Sequence, residues 1–384
     1  MADAFRRFWN DETKRTTLFA GLVAFAIYEI SREPGHQVYD QYVRLADAMI
    51  HGRLDIAPAP WLESVVFEGR TYSHQGVLPA IMLIPFVLVF GEGFNLRHFA
   101  ALLGGGVSMA AWSLATRLGL NGRRRILGWA FPVIGTTIWF ESKTGGTWAV
   151  AALASVLFLF LSLNEYFGKR RLWLIGLFVG LAGLSRPPAY LALAGYAALF
   201  VRQPRKLVNL AIGAAGPVLV MFGYNFARFG TIAEKAQEIH YANDGYRHQR
   251  PPGMISIRHV PFNLYSWFLL GPEFQENFPY LKLTILGTAL PLTSPAFVTA
   301  FGARRERWMW LCALFVVTPA AIWYANGFAQ FGMRYLLDAI PFISALVFLA
   351  LKDDRAPGYW VLLAFSVAMN AYGVAYTNVF GWTS

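Results

Sequence analysis

VLPAIMLIPFVLVF, residues 77–90, is the stretch on which the architecture turns: fourteen apolar residues interrupted by Pro79 and Pro85. A helix needs about 20 residues to cross a bilayer, and apolar stretches of this shorter length are more often re-entrant or interfacial. Whether it crosses decides the side of every later connector. Eleven other apolar runs flank it, at 16–30, 96–114, 126–139, 147–163, 172–184, 189–201, 207–226, 281–301, 308–324, 335–351 and 359–376. Six short connectors carry Lys/Arg clusters: Arg6/Arg7/Lys14/Arg15, Arg117 with Arg123, Arg124 and Arg125, Lys169/Arg170/Arg171, Arg202/Arg205/Lys206, Arg304/Arg305/Arg307 and Lys352/Arg355. Short basic loops stay on the cytoplasmic side. If 77–90 crossed, five of these six clusters would face outward; if it dips in and returns, all six are cytoplasmic, with the amino terminus inside and the carboxyl terminus outside. The charge rule selects the second arrangement.

Composition agrees with a membrane bundle. Of 384 residues 56% are hydrophobic and 14% charged, with a mean hydropathy of +0.41; a soluble domain carries about a quarter charged residues. The net charge of +11 does not call for nucleic acid, because 19 of the 33 basic residues lie in the six connectors and serve topology. Cys312, the single cysteine, lies inside an apolar run, so no disulfide framework or thiolate metal site is expected. The 16–30 run has no small-residue cleavage site after it and reads as a retained first helix. Gly104, Gly105 and Gly106 fall inside a run and read as helix-packing residues. The expectation is an all-α, polytopic membrane helix bundle with about 11 transmembrane helices. Residues 1–384 form one domain without a soluble appendage, and the two long outside segments are 31–95, with an interfacial helix and the re-entrant run, and 227–280.

Polar chemistry collects on the outside. In HQVYDQYVRLADAMIHG, residues 36–52, Val38, Tyr42, Leu45, Ala46 and Met49 recur at helical spacing opposite Asp40, Arg44, Asp47 and His51. That pattern is an amphipathic helix lying in the headgroup plane. On pattern alone Asp40 reads as an acid complementing the helix dipole. Tyr72 and His74 come just before the re-entrant run, Arg186 and Arg228 fall at outer helix ends, and Arg334, Tyr335 and Asp338 open the tenth helix. Arg334 suits either an anion site at a helix N-terminus or a snorkelling anchor beside an aromatic belt. There is no HxxxH, HExxH or DxD pair, so no metal site is expected, and no GxSxG, Walker A or dinucleotide glycine motif.

Taken in order, YDQY (39–42), EGRTYSHQGVLPAIMLIPF (68–86), GLSRPP (183–188), YNFARFG (224–230) and FGMRYLLDAIP (331–341) resemble the GT-C-type glycosyltransferases, the multi-pass enzymes that use polyprenyl-phosphate sugars. The resemblance implies an inverting transferase of a bacterial cytoplasmic membrane, moving a hexosyl or pentosyl group from a polyprenyl-phosphate donor to a hydroxyl of a glycan, lipid or protein acceptor at the outer face. It makes Asp40 the general base and puts Arg334 and Tyr335 near the lipid phosphate, with His74, Tyr72, Arg186 and Arg228 as further donor-binding residues. No cofactor and no metal are implied, because Gln41 stands where many relatives have a second adjacent acid. Membrane lipids and the two substrates are the expected partners. A transporter or flippase of a lipid-linked glycan, or a non-catalytic envelope-assembly subunit, is the alternative, though transporters bury ionisable groups near the midplane and here the runs carry almost none.

Overall fold

The structure, a computed structural model, describes residues 11–59, 63–243 and 253–381. Helix α1 (Glu12–Ser31) opens on Asp11, whose carboxylate accepts the Lys14 amide N–H at 3.1 Å. After it come α2 (Gln41–Ile50), the antiparallel hairpin β1 (Ser64–Phe67) and β2 (Arg70–Ser73), and α3 (Leu78–Phe90). The central bundle is α4 (Leu96–Arg117), α5 (Gly122–Ile134), α6 (Ile138–Thr144), α7 (Thr147–Tyr166), α8 (Leu172–Ser185), α9 (Ala192–Leu199) and α10 (Pro204–Phe229). Then follow α11 (Ala236–Asn243), α12 (Val260–Phe268), a second hairpin of β3 (Glu273–Phe274) and β4 (Leu281–Lys282), α13 (Leu290–Thr293), α14 (Met309–Ala321), α15 (Ile340–Lys352) and α16 (Tyr359–Phe380). The protein is a helical membrane bundle, and the two small hairpins are the departure from an all-α chain.

Small residues set the closest helix contacts. Gly105 of α4 lies against the Gly21 carbonyl of α1, where a Cβ would be tight at 3.2 Å, and Gly176 of α8 and Gly213 of α10 each lie against a carbonyl of the other helix, at Leu210 and Trp173, where a Cβ would collide. In lipid, where apolar burial between helices gains little, such approach lets van der Waals contact hold helices together.

Among the described residues five helices are long and apolar enough to cross a membrane: Leu96–Arg117, Thr147–Tyr166, Pro204–Phe229, Arg334–Lys352 and Tyr359–Phe380. Three shorter apolar helices are Leu78–Gly93, Leu172–Ser185 and Met309–Ala321. The expected run at 281–301 is not one helix. It breaks at Gly287 (φ +97°), Pro291 and Pro295 into strand, the single turn α13 and a 3-10 stretch, Pro295–Gly302. It still descends along α16: the Tyr372 hydroxyl donates to the Leu281 carbonyl, the Asn370 amide to Thr293 at 2.7 Å, and the Ala296 amide to Ser366 at 3.1 Å. Irregular backbone at membrane depth needs such protein partners. The run at 189–201 likewise starts as a 3-10 turn, Pro187–Leu191, and 126–139 bends after α5, where Thr136 bonds back to the Pro132 carbonyl.

The two ends of the bundle differ. At one, Arg124 pairs with Asp354 at 3.0 Å, Arg305 with Asp353 at 3.9 Å, and Tyr166 donates to Glu306 at 3.1 Å, so the basic connectors meet each other. At the other, Arg97 pairs with Glu33 at 3.2 Å, and Lys143 bonds Glu33, Thr377 and Asn378. Both ends of α3 stay at this second end. Gly76, just before it, is packed on the Ser185 carbonyl, while Phe90 at its far end stacks on Phe94, next to the start of α4.

Candidate active site

Asp40 stands at the N-cap position of α2 and makes no capping bond. Its Oδ1 instead accepts from Arg44 Nε at 2.7 Å, one turn on, and Oδ2 has no partner among the described residues. Asp40 thus sits where a carboxylate complements the helix dipole, without also capping the helix through a hydrogen bond. Helix α2 is more enclosed than an interfacial helix: Gln41, Tyr42, Val43, Leu45, Ala46 and Ala48 are all buried, because α3 packs on it. Val38 falls outside the helix and is exposed. On the N-terminal side, the Tyr39 carbonyl accepts from Thr147 twice, from its amide at 3.1 Å and its hydroxyl at 2.7 Å.

Gln41 ties α2 to the first hairpin, accepting from Ser73 Oγ at 2.8 Å and donating to the Glu63 carbonyl at 2.9 Å. Arg228, 4% exposed, reaches the same hairpin, giving Nη1–H to the Ser73 carbonyl at 2.7 Å and Nη2–H to Asn225 at 2.8 Å, while its guanidinium lies 3.7 Å from the Tyr224 ring centre. Next to it, His74 is buried and stacked on His240 of α11, ring centres 4.3 Å apart and only 4° from parallel. Burial first, then His240 and Arg228, push its pKa down to about 3, so the ring is neutral at ordinary pH. Such a His74 donates or accepts a hydrogen bond but carries no charge toward a phosphate. Tyr72 faces another way, into an apolar cluster with Val65, Phe229 and Ala236.

Folding also creates a group that no local spacing announces. Glu63, His74 and His240 each offer one ligand atom, all within 4.8 Å of one another. The donor set of one carboxylate and two imidazoles suits a divalent cation of the zinc type. The scattered histidines of the sequence thus do meet in part.

Arg186, at the end of α8, pairs with buried Asp338 at 3.1 Å and lies 5.9 Å from the Tyr335 ring centre. Asp338, half of this pair, precedes α15 in the 3-10 turn Arg334–Ala339. Arg334 opens that turn, its guanidinium 5.5 Å from the Trp148 ring centre. Among the described residues that guanidinium has neither a hydrogen bond nor an ion pair. Trp148 in turn faces the Tyr39 ring at 5.0 Å, which links Arg334 to the residue before Asp40. Glu141 of α6 is 2% exposed and lies near enough to Arg334, Arg186 and Lys143 to feel each charge. Burial nevertheless raises its pKa, the three cations opposing. At Lys143, also buried, desolvation outweighs Glu33 and lowers the pKa.

Five segments distant in sequence thus bring Asp40, His74, Arg186, Arg228, Arg334 and Tyr335 to one end of the bundle, away from the basic connectors. Sequence reasoning missed Glu141, Lys143, Thr147, Trp148, Glu63 and His240. The signal for the first four was FESKTGGTW, whose acid, lysine and paired glycines interrupt two apolar runs. Gly145 is required there: its φ is +67°, and a Cβ would lie 2.5 Å from Arg97 Cα.

No protein-family model matches the sequence, and no curated protein matches it. The likeness is in the fold. ArnT from Cupriavidus metallidurans bound to undecaprenyl phosphate superposes with a TM-score of 0.57 at 16% identity, over 97% of this chain and 66% of that one. Its apo form gives 0.56 at 15% identity, over 94% and 64%. The chain spans just under two thirds of the length of ArnT. The chain therefore shares the fold of ArnT over almost all of its own length.

Proposed function

We propose that this protein is an inverting glycosyltransferase that moves a hexosyl or pentosyl group from a polyprenyl-phosphate donor to an acceptor hydroxyl at the outer face of a bacterial cytoplasmic membrane. The observation that carries this reading is the Arg334 guanidinium, without a hydrogen bond or ion pair among the described residues, set on Trp148 at the same end of the bundle as an Asp40 carboxylate oxygen that is likewise unpartnered among them. A guanidinium that no carboxylate contacts directly among the described residues suits a lipid phosphate. Asp40 removes the acceptor proton as the acceptor oxygen attacks the anomeric carbon. The bond from that carbon to the phosphate oxygen breaks, and the electron pair leaves with the polyprenyl phosphate. Arg334 and Tyr335 stabilise the charge that grows there, and neutral His74 gives at most a hydrogen bond. Arg186 and Arg228 are already engaged by Asp338, Ser73 and Asn225, so they orient the phosphate from behind. A single displacement inverts the anomeric carbon.

Topology is part of the reading. The basic end is cytoplasmic and the Asp40 end faces out, α3 dips in without crossing, and eleven stretches cross, several as broken helices. Nucleotide sugars are made in the cytoplasm, so chemistry on the outer face requires a donor already carried across on lipid. The test is to incubate purified protein with a panel of labelled polyprenyl-phosphate sugars and follow release of polyprenyl phosphate. Release from at least one donor is expected; inertness toward the panel in the presence of membrane glycan, lipid and protein acceptors overturns the reading.

A further inference from the structure

At the start of α7, Thr147 and Trp148 touch both halves of the proposed chemistry. Thr147 gives two hydrogen bonds to one atom, the Tyr39 carbonyl, at 3.1 and 2.7 Å. That carbonyl belongs to the peptide group leading into Asp40, so the bonds fix the backbone from which the carboxylate projects. Gln37 adds a third tie, its amide donating to the Thr144 carbonyl at 2.7 Å. Trp148 contacts both the Tyr39 ring, 5.0 Å from its own, and the Arg334 guanidinium, 5.5 Å from its centre. A cation over an indole is held by the ring's electron-rich face at a defined spot without losing its N–H donors. Helix α7 is largely buried, so its first turn is a rigid mount.

We propose that the Thr147–Trp148 pair is a positioning bracket that fixes the separation and angle between the base Asp40 and the phosphate-binding Arg334. Neither residue touches the reacting atoms. Thr147 acts through the Tyr39 carbonyl on the base; Trp148 acts through its ring on the arginine. Displacement of a reacting group by about 1 Å costs up to a hundredfold in rate, so a bracket of this kind leaves a kinetic signature distinct from a packing defect. This inference rests on the transferase reading above, and its test includes an arm that does not.

The kinetic arm compares Thr147→Val, which keeps the shape and loses the hydroxyl, with Thr147→Ser, which keeps the hydroxyl. Thr147→Val should lower kcat about tenfold to a hundredfold with donor KM little changed, and Thr147→Ser should recover most of the loss. Trp148→Leu should instead raise donor KM, because it frees Arg334. The independent arm is hydrogen exchange of the same proteins: Thr147→Val should speed exchange in residues 37–44 and leave α1 as it was. Faster exchange there in a protein whose wild type shows no transfer keeps the bracket and removes the transferase reading. Unchanged exchange in 37–44, or a normal kcat in Thr147→Val beside an active wild type, overturns the bracket.

Discussion

Replacing Asp40 with Asn removes the proposed base and almost nothing else. Asn has nearly the same shape, and the aspartate makes no capping bond to α2 that could be lost. What the fold loses is the charge in the 2.7 Å contact with Arg44, whose side chain is 24% exposed against 12% for Asp40. A one-turn helix pair of this exposure contributes roughly 0.3–0.5 kcal/mol, up to about 1 kcal/mol with partial burial. Losing a general base costs about 10²- to 10⁴-fold in turnover, which is about 3–5 kcal/mol on the barrier. The two effects differ several-fold in energy, so one variant separates them. Transfer should be measured as label moved from a polyprenyl-phosphate sugar under saturating donor, beside donor binding and a thermal melt in detergent. The expected result is a protein that melts within a few degrees of wild type, binds donor, and turns over at least about a hundredfold more slowly. An Asp40→Asn protein with turnover within threefold of wild type refutes the assignment, whatever its melt.

Arg334→Ala should lower kcat/KM for the donor by roughly 10- to 150-fold, the loss of a charged hydrogen-bonding group worth about 1.5–3 kcal/mol, and Arg334→Lys should recover only part because a point charge lacks the two-pronged fork; equal kinetics for Ala and wild type would remove it from the site. Asp338→Ala leaves Arg186 buried without its counter-ion and should cost about 3–5 kcal/mol in a detergent unfolding titration, while the double change Arg186→Met with Asp338→Leu should cost much less; equal losses would show that the pair is not the cause. Folding raises the Glu141 pKa above its ordinary 4.5. The stability linked to that carboxyl is therefore full below 4.5 and is lost as pH rises through the folded value, whereas Gln does not titrate. The melting temperature of wild type relative to Glu141→Gln should fall with rising pH from 4.5 upward, and a difference independent of pH would contradict the shift.

Hydropathy and charge are additive properties of short windows, which is why a helical membrane bundle was legible from the apolar runs and the basic connectors between them. Each candidate segment lies at the end of an apolar run, and run ends on one side share a surface, so their nearness could be anticipated without any residue's role being known. Backbone path was less legible. Apolar content at 281–301 matches that of a spanning helix, yet Gly287, Pro291 and Pro295 break it, and the Asn370 and Ser366 partners that make the break tolerable lie on α16. Side-chain constellations were the least legible. His240 meets His74 and Glu63 across about 170 residues of chain, and Trp148 reads as one more apolar residue until the Tyr39 ring and the Arg334 guanidinium are seen against it.

The central claim is that a sugar leaves a lipid phosphate at the Asp40 end of the bundle. Its most direct measurement uses proteoliposomes of known protein orientation, given the same labelled sugar either on polyprenyl phosphate in one leaflet or on a nucleotide in the bath. The account predicts that label reaches acceptor, with release of polyprenyl phosphate, only when the lipid donor shares the leaflet at the Asp40 end, and never from the nucleotide sugar. Movement of intact polyprenyl-phosphate sugar between leaflets without cleavage, or transfer from the nucleotide sugar, would contradict it.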